Sequence, residues 1–502
     1  MKTNQLLFLT LSFLSVVTSA QTKHDYYWTV GHGGTDITNP DFGGTDIDFN
    51  EDPPSLTRVL RDEEFGLLSS SICDEEGNLL FYTSGCKVMD SSHLVMENGD
   101  DLNKGTSFKN NCKPNRAYGS GYASIISLPD PFRDDLYYII HQRREQGWPD
   151  EFSRVHYSKV DMTANNGKGK LIEANTLVMP DSVYLGEMAA VRHANGIDWW
   201  IVAPEDSTNV YNVLLLDSTG IIKHHDHTMG PKVGYYGAGS GQCKFSPDGK
   251  WFARWSNTEQ VFLCKFDRTN GIISDFLQFH TREDPISGGI EFSPNSRFLY
   301  VSNKYFIEQY DLEDINFLQS RVTVAEWDGF TDFLPVTFRR MQLTPDCRIF
   351  VNGPGGHRFW HIIEHPNEKG TACLVRQHAL ALPTYTFNTM PYFPNFNLGP
   401  LGNEGYPCDS TRVSANSEVF PIRETEAWLY PNPATELVQI KTNLFENSVH
   451  VRVFDMQGKL KIEKIDFETN RSLDVSSLTP GLYVVMIYDR KGRTWTEKLI
   501  IK

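Results

Sequence analysis

The chain has 502 residues, a length that predicts about three folded units, or one large all-β domain with smaller companions. Its 47 Lys and Arg against 63 Asp and Glu give a formal net charge of −16, and this acidity excludes a nucleic-acid-binding role, which needs a basic face. Aromatic residues make up 12 % of the chain, with 38 Gly and 26 Pro. Such a composition predicts many short strands joined by tight turns.

The first twenty residues have the layout of a secretory signal peptide. Lys2 supplies a positive charge, an apolar run covers residues 6–17, and small residues precede an expected cleavage between Ala20 and Gln21. The run is shorter than the roughly 20 apolar residues that cross a bilayer. We therefore expect residues 1–20 to be removed, and we expect no transmembrane segment in the mature chain.

An acidic, glycine-containing stretch lies between residues 36 and 52. Carboxylate oxygens are the ligands that calcium prefers, and Asp36, Asp46 and Asp48 are the candidates for such a site. The spacing is not that of an EF-hand, so an ordinary acidic loop is the alternative. Calcium is the one cofactor that the sequence suggests.

Eight cysteines are spread along the chain, and none lies in a C-x-x-C pair. This spacing argues against a structural zinc site. Export through an oxidising compartment permits disulfides. Cys86 and Cys112 bracket a loop-like stretch and are our candidate for a disulfide, with buried free thiols as the alternative.

The middle of the chain repeats a hairpin pattern three times. Each copy has a short apolar strand, a Ser/Thr-Pro-Asp/Asn turn and a second strand rich in aromatic and β-branched residues, with turns at 246–248, 293–295 and 344–346. The proline fixes φ, and Asp or Asn tolerates the backbone of the turn. A third strand follows each time, and the spacing of about fifty residues is typical of four-stranded propeller blades.

Looser copies of the pattern begin upstream at three positions, Ser69, Ala123 and Glu187. We interpret the stretch MPYFPNFNLGP near Met390 as the inner strand of a seventh blade. Its remaining strands would come from the chain around Tyr26, because pairing of the two ends closes a propeller ring. The predicted fold is all-β, with a seven-bladed β-propeller over residues 24–415. Six or eight blades, or a pair of β-sandwiches, are the alternatives.

The region contains several distinctive strings, among them MENGDDLN, AVRHANGIDWWIV, FSPDGKWFARW and QHALALPTYTFNTMPYFPNF. These strings resemble those of a group of secreted propeller proteins of Bacteroidota. The resemblance covers most of residues 25–400 and supports the predicted fold. The group has no settled biochemical activity, so the resemblance implies no chemistry.

Three residues near predicted strand ends are candidates for catalysis: Glu187, His193 and Glu205. Carboxylates and a histidine facing a central channel could transfer protons in a hydrolase or lyase reaction. Alternatively, they satisfy turns and each other on the rim. His225 and His227 alternate in sequence and would share one face of a strand, as two metal ligands must. A solvated loop before the following Gly-Pro turn is the alternative for this pair.

The end of the chain predicts a second folded unit. Residues 416–427 are polar and predict a linker, and residues 428–502 contain short alternating strands separated by glycine turns. This pattern predicts a small immunoglobulin-like antiparallel β-sandwich. A series of motif residues runs through the unit to its end: Tyr430, Pro431, Asn432, Pro433, Asp455, Gly458, Gly481, Tyr483, Lys498 and Lys502. On these residues the unit resembles the type A C-terminal sorting domain of the type IX secretion system.

This resemblance implies a route and a partner. The protein would cross the inner membrane by its signal peptide and the outer membrane by the type IX secretion machinery, and would then be secreted or attached to the cell surface. For the propeller we consider two functions. One is an extracellular binding platform for a glycan or protein ligand. The other is a propeller-type enzyme, a glycan hydrolase or lyase or a lactonase-like protein, using channel carboxylates and histidine. The absence of a recognisable catalytic set favours the platform.

Overall fold

A computed structural model describes residues 21–32, 39, 41–113, 117–119, 121–145, 152–233, 241–256, 260–282, 288–408, 427–430, 432–442, 448–456, 458–468, 472–488 and 494–502. The chain divides into two compact units, residues 1–415 and 416–502, and each is described by itself. The expected signal peptide with Ala20, and nearly all of the expected linker, lie outside the described residues.

The described part of the first unit contains seven antiparallel sheets, named blades 1 to 7 in chain order. Blades 1 and 2 comprise β1 (Tyr27–Gly31), β2 (Gly44–Asp48) and β3 (Ser55–Val59), then β4 (Ser70–Cys73), β5 (Leu79–Thr83) and β6 (Val88–Asp90). Helix α1 (Thr106–Asn111) follows. Blades 3 and 4 comprise β7 (Ile125–Pro129), β8 (Leu136–Glu145), β9 (Phe152–Asp161) and β10 (Lys170–Leu177), then β11 (Ala189–Arg192), β12 (Trp199–Pro204), β13 (Val210–Asp217) and β14 (Gly220–Thr228).

The remaining blades carry the clearest sequence repeats. Blade 5 comprises β15 (Gln242–Phe245), β16 (Trp251–Ser256), β17 (Gln260–Asp267) and β18 (Ile272–Phe279). Blade 6 comprises β19 (Gly288–Phe292), β20 (Phe298–Asn303), β21 (Phe306–Asp311) and β22 (Val322–Glu326). Blade 7 comprises β23 (Met341–Leu343), β24 (Ile349–Val351), β25 (His357–Ile363) and β26 (Val375–Thr386). In each of these three blades the strands pair in sequence order.

The blades are arranged as a closed ring. First strands of successive blades lie side by side, as β1 does with β4 and β15 with β19, and a parallel bridge between Ala123 and Glu187 joins blade 3 to blade 4. Blade 7 closes the ring, because β26 packs against the strands of blade 1 and the hydroxyls of Thr384 and Thr45 are 2.7 Å apart. The predicted seven-bladed propeller is confirmed.

The repeated turn has the same hydrogen bonds in three blades. In blade 5 the Ser246 hydroxyl donates to Asp248 (2.6 Å) and accepts the N–H of Trp251 (3.0 Å). Equivalent bonds start from Ser293 in blade 6 and from Thr344 in blade 7. A short hydroxyl and an Asp or Asn two residues later therefore fix the bend, which explains why the sequence repeats there.

Residues 388–398, which we call the axial segment, differ from the prediction. They were expected to form an inner strand but form none, because Pro391 and Pro394 lack the N–H that a strand ladder needs. The segment is nevertheless buried in the ring, where Phe393 stacks on Trp28 of β1 with ring centroids 5.7 Å apart. The strand expected around Tyr26 is present as β1, but it pairs with β2 in a blade that consists of β1, β2 and β3. The prediction that the two chain ends share one blade is therefore wrong.

Two disulfides are present among the described residues. Cys86 pairs with Cys112, the pair proposed from the sequence, and Cys347 pairs with Cys408. The other four cysteines are buried free thiols. The second disulfide was not expected, because its cysteines are separated by 61 residues and only the fold brings them together.

The second unit is a β-sandwich. Its strands are β27 (Ala427–Tyr430), β28 (Leu437–Thr442), β29 (Ser448–Asp455), β30 (Leu460–Glu468), β31 (Ser472–Asp474), β32 (Gly481–Tyr488) and β33 (Thr494–Ile501). They form one sheet in the order β27-β28-β31 and another in the order β30-β29-β32-β33. Val438, Val451 and Val485 are fully buried in the core of this unit. No helix in the described part of either unit is long and apolar enough to cross a membrane.

Candidate functional site

The motif residues at the start of the second unit fasten the entering chain to its last strand. The Asn432 side chain donates to the carbonyl of Lys498 (2.6 Å) and accepts the N–H of Ile500 (2.9 Å). Ala434 continues the contact, because its N–H donates to the carbonyl of Ile500 (2.8 Å). Asn432 and Pro433 are joined by a cis peptide bond. Pro431 lies outside the described residues.

Two further motif residues form the turn between β29 and β30. The Asp455 carboxylate accepts the N–H of Lys459 (2.9 Å) and pairs with Lys461 (3.2 Å). Gly458 has φ +77° in this turn, a backbone conformation that favours glycine. These residues therefore fix the hairpin, and their identity follows from local geometry.

The later motif residues lie on β32 and β33, except for Lys502, which follows β33. The Tyr483 hydroxyl donates to the carbonyl of Thr479 (2.8 Å), which ties the loop before Gly481 to the core. Lys498 and Lys502 are exposed. The motif thus combines residues that shape the sandwich with basic residues on its surface.

In the first unit the ring interior carries a buried ion pair between blades 4 and 5. Glu187 pairs with Arg254, and both side chains are at most 2 % exposed. Arg254 also lies over the rings of Tyr184 and Tyr211. Burial raises the pKa of Glu187, and the neighbouring Arg254 opposes that shift.

A second buried ion pair joins blades 5 and 6. Lys244 Nζ lies 2.8 Å from Glu291 Oε2 and 2.5 Å from the Gln342 amide oxygen. Glu291 also accepts the backbone N–H of Leu343 (3.0 Å). Burial lowers the pKa of Lys244, and Glu291 opposes the shift. Lys244 of blade 5 therefore links its blade to blade 6 through Glu291 and to blade 7 through Gln342.

The axial segment covers this pair and contacts most of the ring. The Tyr392 hydroxyl accepts the N–H of Ala190 in blade 4 (2.9 Å), and its ring lies 4.9 Å from Lys244 Nζ. Phe393 N–H donates to Gln342 of blade 7 (3.3 Å), and the Asn395 amide donates to the carbonyl of Pro247 (2.8 Å). Within the described residues, the axial segment therefore occupies the ring interior beside blades 4, 5 and 7.

A cavity of about 40 Å³ remains beside the axial segment. Its polar lining comes from Asp25, Lys244, Ser246, Glu291, Gln342, Thr344, Tyr392 and Asn395. Asp25 is half-buried there, and burial raises its pKa from 3.8 to about 7. A space of this size holds a few water molecules, and it is far smaller than the ligand pockets of about 300 Å³ or more that proteins use for small organic molecules.

The three candidates for catalysis do not come together. Glu187 precedes β11 and His193 follows it, which places them at opposite ends of the strand, about 20 Å apart for six extended residues. His193 accepts the N–H of Asn195 (3.0 Å) and contacts the carbonyl of Thr269 (3.1 Å). Glu205 follows β12, at the same end of blade 4 as Glu187.

The calcium candidates are used by the fold where the structure describes them. Asp46 is buried, pairs with Arg61 and accepts the Tyr27 hydroxyl (2.8 Å). Asp48 accepts the N–H of Asn50 (2.9 Å). Asp36 lies outside the described residues. Across the described chain no group of three or more His, Cys, Asp or Glu side chains could hold a metal ion.

His225 and His227 belong to β14, so the solvated loop that we considered for them is wrong. Their ring centroids are 4.8 Å apart. One nitrogen of each ring contacts the backbone of blade 5, because His225 Nε2 lies 2.8 Å from the carbonyl of Gly271 and His227 Nε2 accepts the N–H of Ile273 (3.4 Å). The shared face was anticipated correctly, and the pair packs blade 4 against the β17–β18 hairpin of blade 5.

Sequence reasoning missed Arg254, Lys244, Glu291 and Asp25. Three of the polar groups around the axial segment were visible in the repeats, because Lys244, Glu291 and Gln342 each stand two residues before the Ser or Thr of the repeated turn. A polar residue at that position in an otherwise apolar inner strand predicts a buried polar network. Asp25 lies outside any repeat and gives no such signal.

A comparison with protein families matches residues 428–502 to the secretion system C-terminal sorting domain. The match coincides with the sandwich and its motif residues. The protein is a cargo of the type IX secretion system, exported to the cell surface or beyond it. No curated protein matches the chain in sequence.

Solved structures resemble the chain only distantly. A protein from Lactobacillus plantarum is 12 % identical, with a TM-score of 0.43 over 72 % of this chain and 98 % of that one. A putative 6-phosphogluconolactonase from Bacteroides fragilis is 12 % identical, with a TM-score of 0.43 over 73 % and 97 %. The β-propeller domain of Cps50 (Swd1) from Myceliophteria thermophila is 10 % identical, with a TM-score of 0.35 over 66 % and 94 %. At such low sequence identities and TM-scores, these similarities do not indicate a function.

Proposed function

We propose that the propeller of this type IX secretion cargo is an extracellular binding platform for a glycan or protein ligand. The observation that carries the proposal is the axial segment. Propellers commonly bind ligands in the central opening, but here residues 388–398 occupy the interior and leave a cavity of about 40 Å³. The buried axial segment and the small volume of this cavity support binding of larger ligands on the outer surface of the ring.

The charges inside the ring support the same conclusion. General acid–base catalysis needs a carboxyl group within hydrogen-bond reach of the substrate. Glu187 is paired with Arg254 and Glu291 with Lys244, and all four side chains are at most 4 % exposed. Breaking such a pair leaves a buried charge without a partner. Both carboxylates therefore act in holding blades together.

Binding and turnover can be separated with the purified full-length protein. It is incubated with soluble polysaccharides, nitrophenyl glycosides and gluconolactone, and both retention and product formation are measured. We expect retention of at least one ligand without product. Glu187→Gln and Glu205→Gln are tested in parallel, with melting curves to establish that each variant is folded. If the wild-type protein forms a product and a folded Glu187→Gln or Glu205→Gln variant does not, the propeller is a channel enzyme and not a binding platform.

A further inference from the structure

Exposed aromatic side chains gather where blade 1 meets blade 7. Phe42 is 44 % and Phe387 47 % exposed. Large apolar side chains exposed together on one surface mark interaction sites more often than isolated ones do. The seam patch, as we name it, consists of His32, Phe42, Arg358, Tyr385 and Phe387.

The rings of the seam patch are held in a fixed arrangement. His32 lies between two phenylalanines, with ring centroids 5.6 Å from Phe42 and 6.3 Å from Phe387. Phe42 in turn contacts Tyr385 at 5.6 Å. The backbone below is tied across the seam, because the Tyr385 N–H donates to the carbonyl of Asp41 (2.9 Å). These rings lose little conformational freedom when a ligand binds.

Charged groups are interleaved with the rings, and each is oriented by a partner. Arg358 lies 5.1 Å from the centre of the Tyr385 ring and pairs with Asp41 (3.2 Å). His32 Nδ1 lies 3.0 Å from a Glu64 oxygen. The patch therefore offers flat apolar faces beside hydrogen-bonding groups in fixed positions.

That combination matches a sugar ring. A pyranose has an apolar face of C–H groups, which stacks on an aromatic ring, and a rim of hydroxyls, which need donors and acceptors. Phe42 and Phe387 present roughly 180 Å² of apolar surface, since an aromatic side chain offers about 150–250 Å² in total. A stable protein interface needs about 800 Å² per partner, so the patch is too small for a protein ligand and sufficient for a few sugar units.

The charge of the protein selects among glycans. The chain carries a formal charge of −16, and the Arg and His of the patch already face carboxylates. Polyanionic polysaccharides would be repelled by such a surface. We propose that the seam patch binds a neutral extracellular polysaccharide by stacking Phe42 and Phe387 on pyranose rings. This inference rests on the proposed platform function and names its ligand class.

The test uses the full-length protein with laminarin, xylan, mannan and pullulan as neutral probes and alginate as the anionic one, in affinity electrophoresis and calorimetry. We expect binding to at least one neutral probe and none to alginate. Phe42→Ala and Phe387→Ala should each weaken that binding at least tenfold, whereas Phe387→Trp should retain it. Phe132→Ala is the matched control, because Phe132 is also exposed (59 %) but lies in blade 3, in the turn between β7 and β8.

The outcomes separate this inference from the platform function. Unchanged binding of a neutral probe by the folded Phe42→Ala/Phe387→Ala double variant would overturn the seam patch and leave the platform in place. Failure of the wild-type protein to bind any of the four neutral probes would also overturn the inference. In that case a protein ligand captured by the same preparation would still support a platform.

Discussion

Lys244, Glu291 and Gln342 illustrate how a single position can differ between repeats while the fold stays the same. Each is the inward residue of an inner strand, and together they form one hydrogen-bonded group across blades 5, 6 and 7. Three identical charges at these positions would repel one another. A cation, an anion and an amide satisfy each other, which is why this position varies in charge while the apolar positions beside it are uniform.

The buried carboxyl of Asp25 predicts how the free energy of unfolding depends on pH. Its pKa is raised from 3.8 to about 7 in the folded protein, so the folded state binds this proton more tightly than the unfolded state. The free energy of unfolding contributed by Asp25 is therefore highest below pH 4 and is lost as the pH rises towards 7. Asp25→Asn cannot ionise, and we expect its free energy of unfolding to exceed that of the wild type by about 4 kcal/mol at pH 8 and to be close to it at pH 4.

Urea unfolding at pH 4, 6 and 8 measures this difference. Asp134→Asn, which alters an exposed carboxylate, is the control and should show no such trend. A difference between Asp25→Asn and the wild type that stays constant over this pH range would mean that the carboxyl ionises normally in the folded protein.

At the scale of elements, the Cys347–Cys408 disulfide encloses the axial segment. Cys347 lies in the repeated turn of blade 7, and Cys408 follows the segment by ten residues. The bond therefore closes the chain on both sides of the buried residues. Because the segment has no ladder hydrogen bonds, it depends on side-chain contacts and on this covalent link to stay in place.

We expect loss of this disulfide to cost more stability than loss of the other one. The two bonds close loops with sequence separations of 61 and 26 residues. Chain-entropy arguments give about 4 kcal/mol for Cys347→Ser/Cys408→Ser and about 3.5 kcal/mol for Cys86→Ser/Cys112→Ser. Urea titrations without reductant compare the variants, and the fully reduced wild type serves as reference. A reversed order would indicate that the axial segment holds without its covalent link.

The elements differ in how far the sequence predicts them. The Ser/Thr-Pro-Asp/Asn turns and the seven blades were predictable, because the residues that form each hairpin are close in sequence and the hairpins recur with a fixed period. The axial segment was placed correctly inside the ring but assigned the wrong conformation, because its apolar content resembles a strand and its two prolines were given too little weight. The Cys347–Cys408 pair and the seam patch depend on contacts between distant parts of the chain, which no local pattern reveals.

At the scale of the whole molecule, we expect deletion of the sorting domain to prevent export. Deleting residues 428–502 removes the unit that the type IX machinery recognises, while the propeller is a separate compact unit and should fold normally. We expect the truncated protein to accumulate in the periplasm, as measured by immunoblotting of fractionated cells, with the tagged full-length protein as control. Surface or extracellular levels equal to the control would contradict the assignment of the tail.

The closure of the ring limits how early the propeller can complete its fold. Thr22 bonds to Asn397 and Thr45 to Thr384, which are contacts across 375 and 339 residues. Such high contact order slows folding and delays it until the last blade is available. As the chain is synthesised or translocated, the propeller cannot close until about residue 400 has emerged. That residue lies only a short stretch before the sorting unit. The closed propeller and the complete sorting unit thus become available at nearly the same moment, and a chain that ends before residue 400 has neither of them.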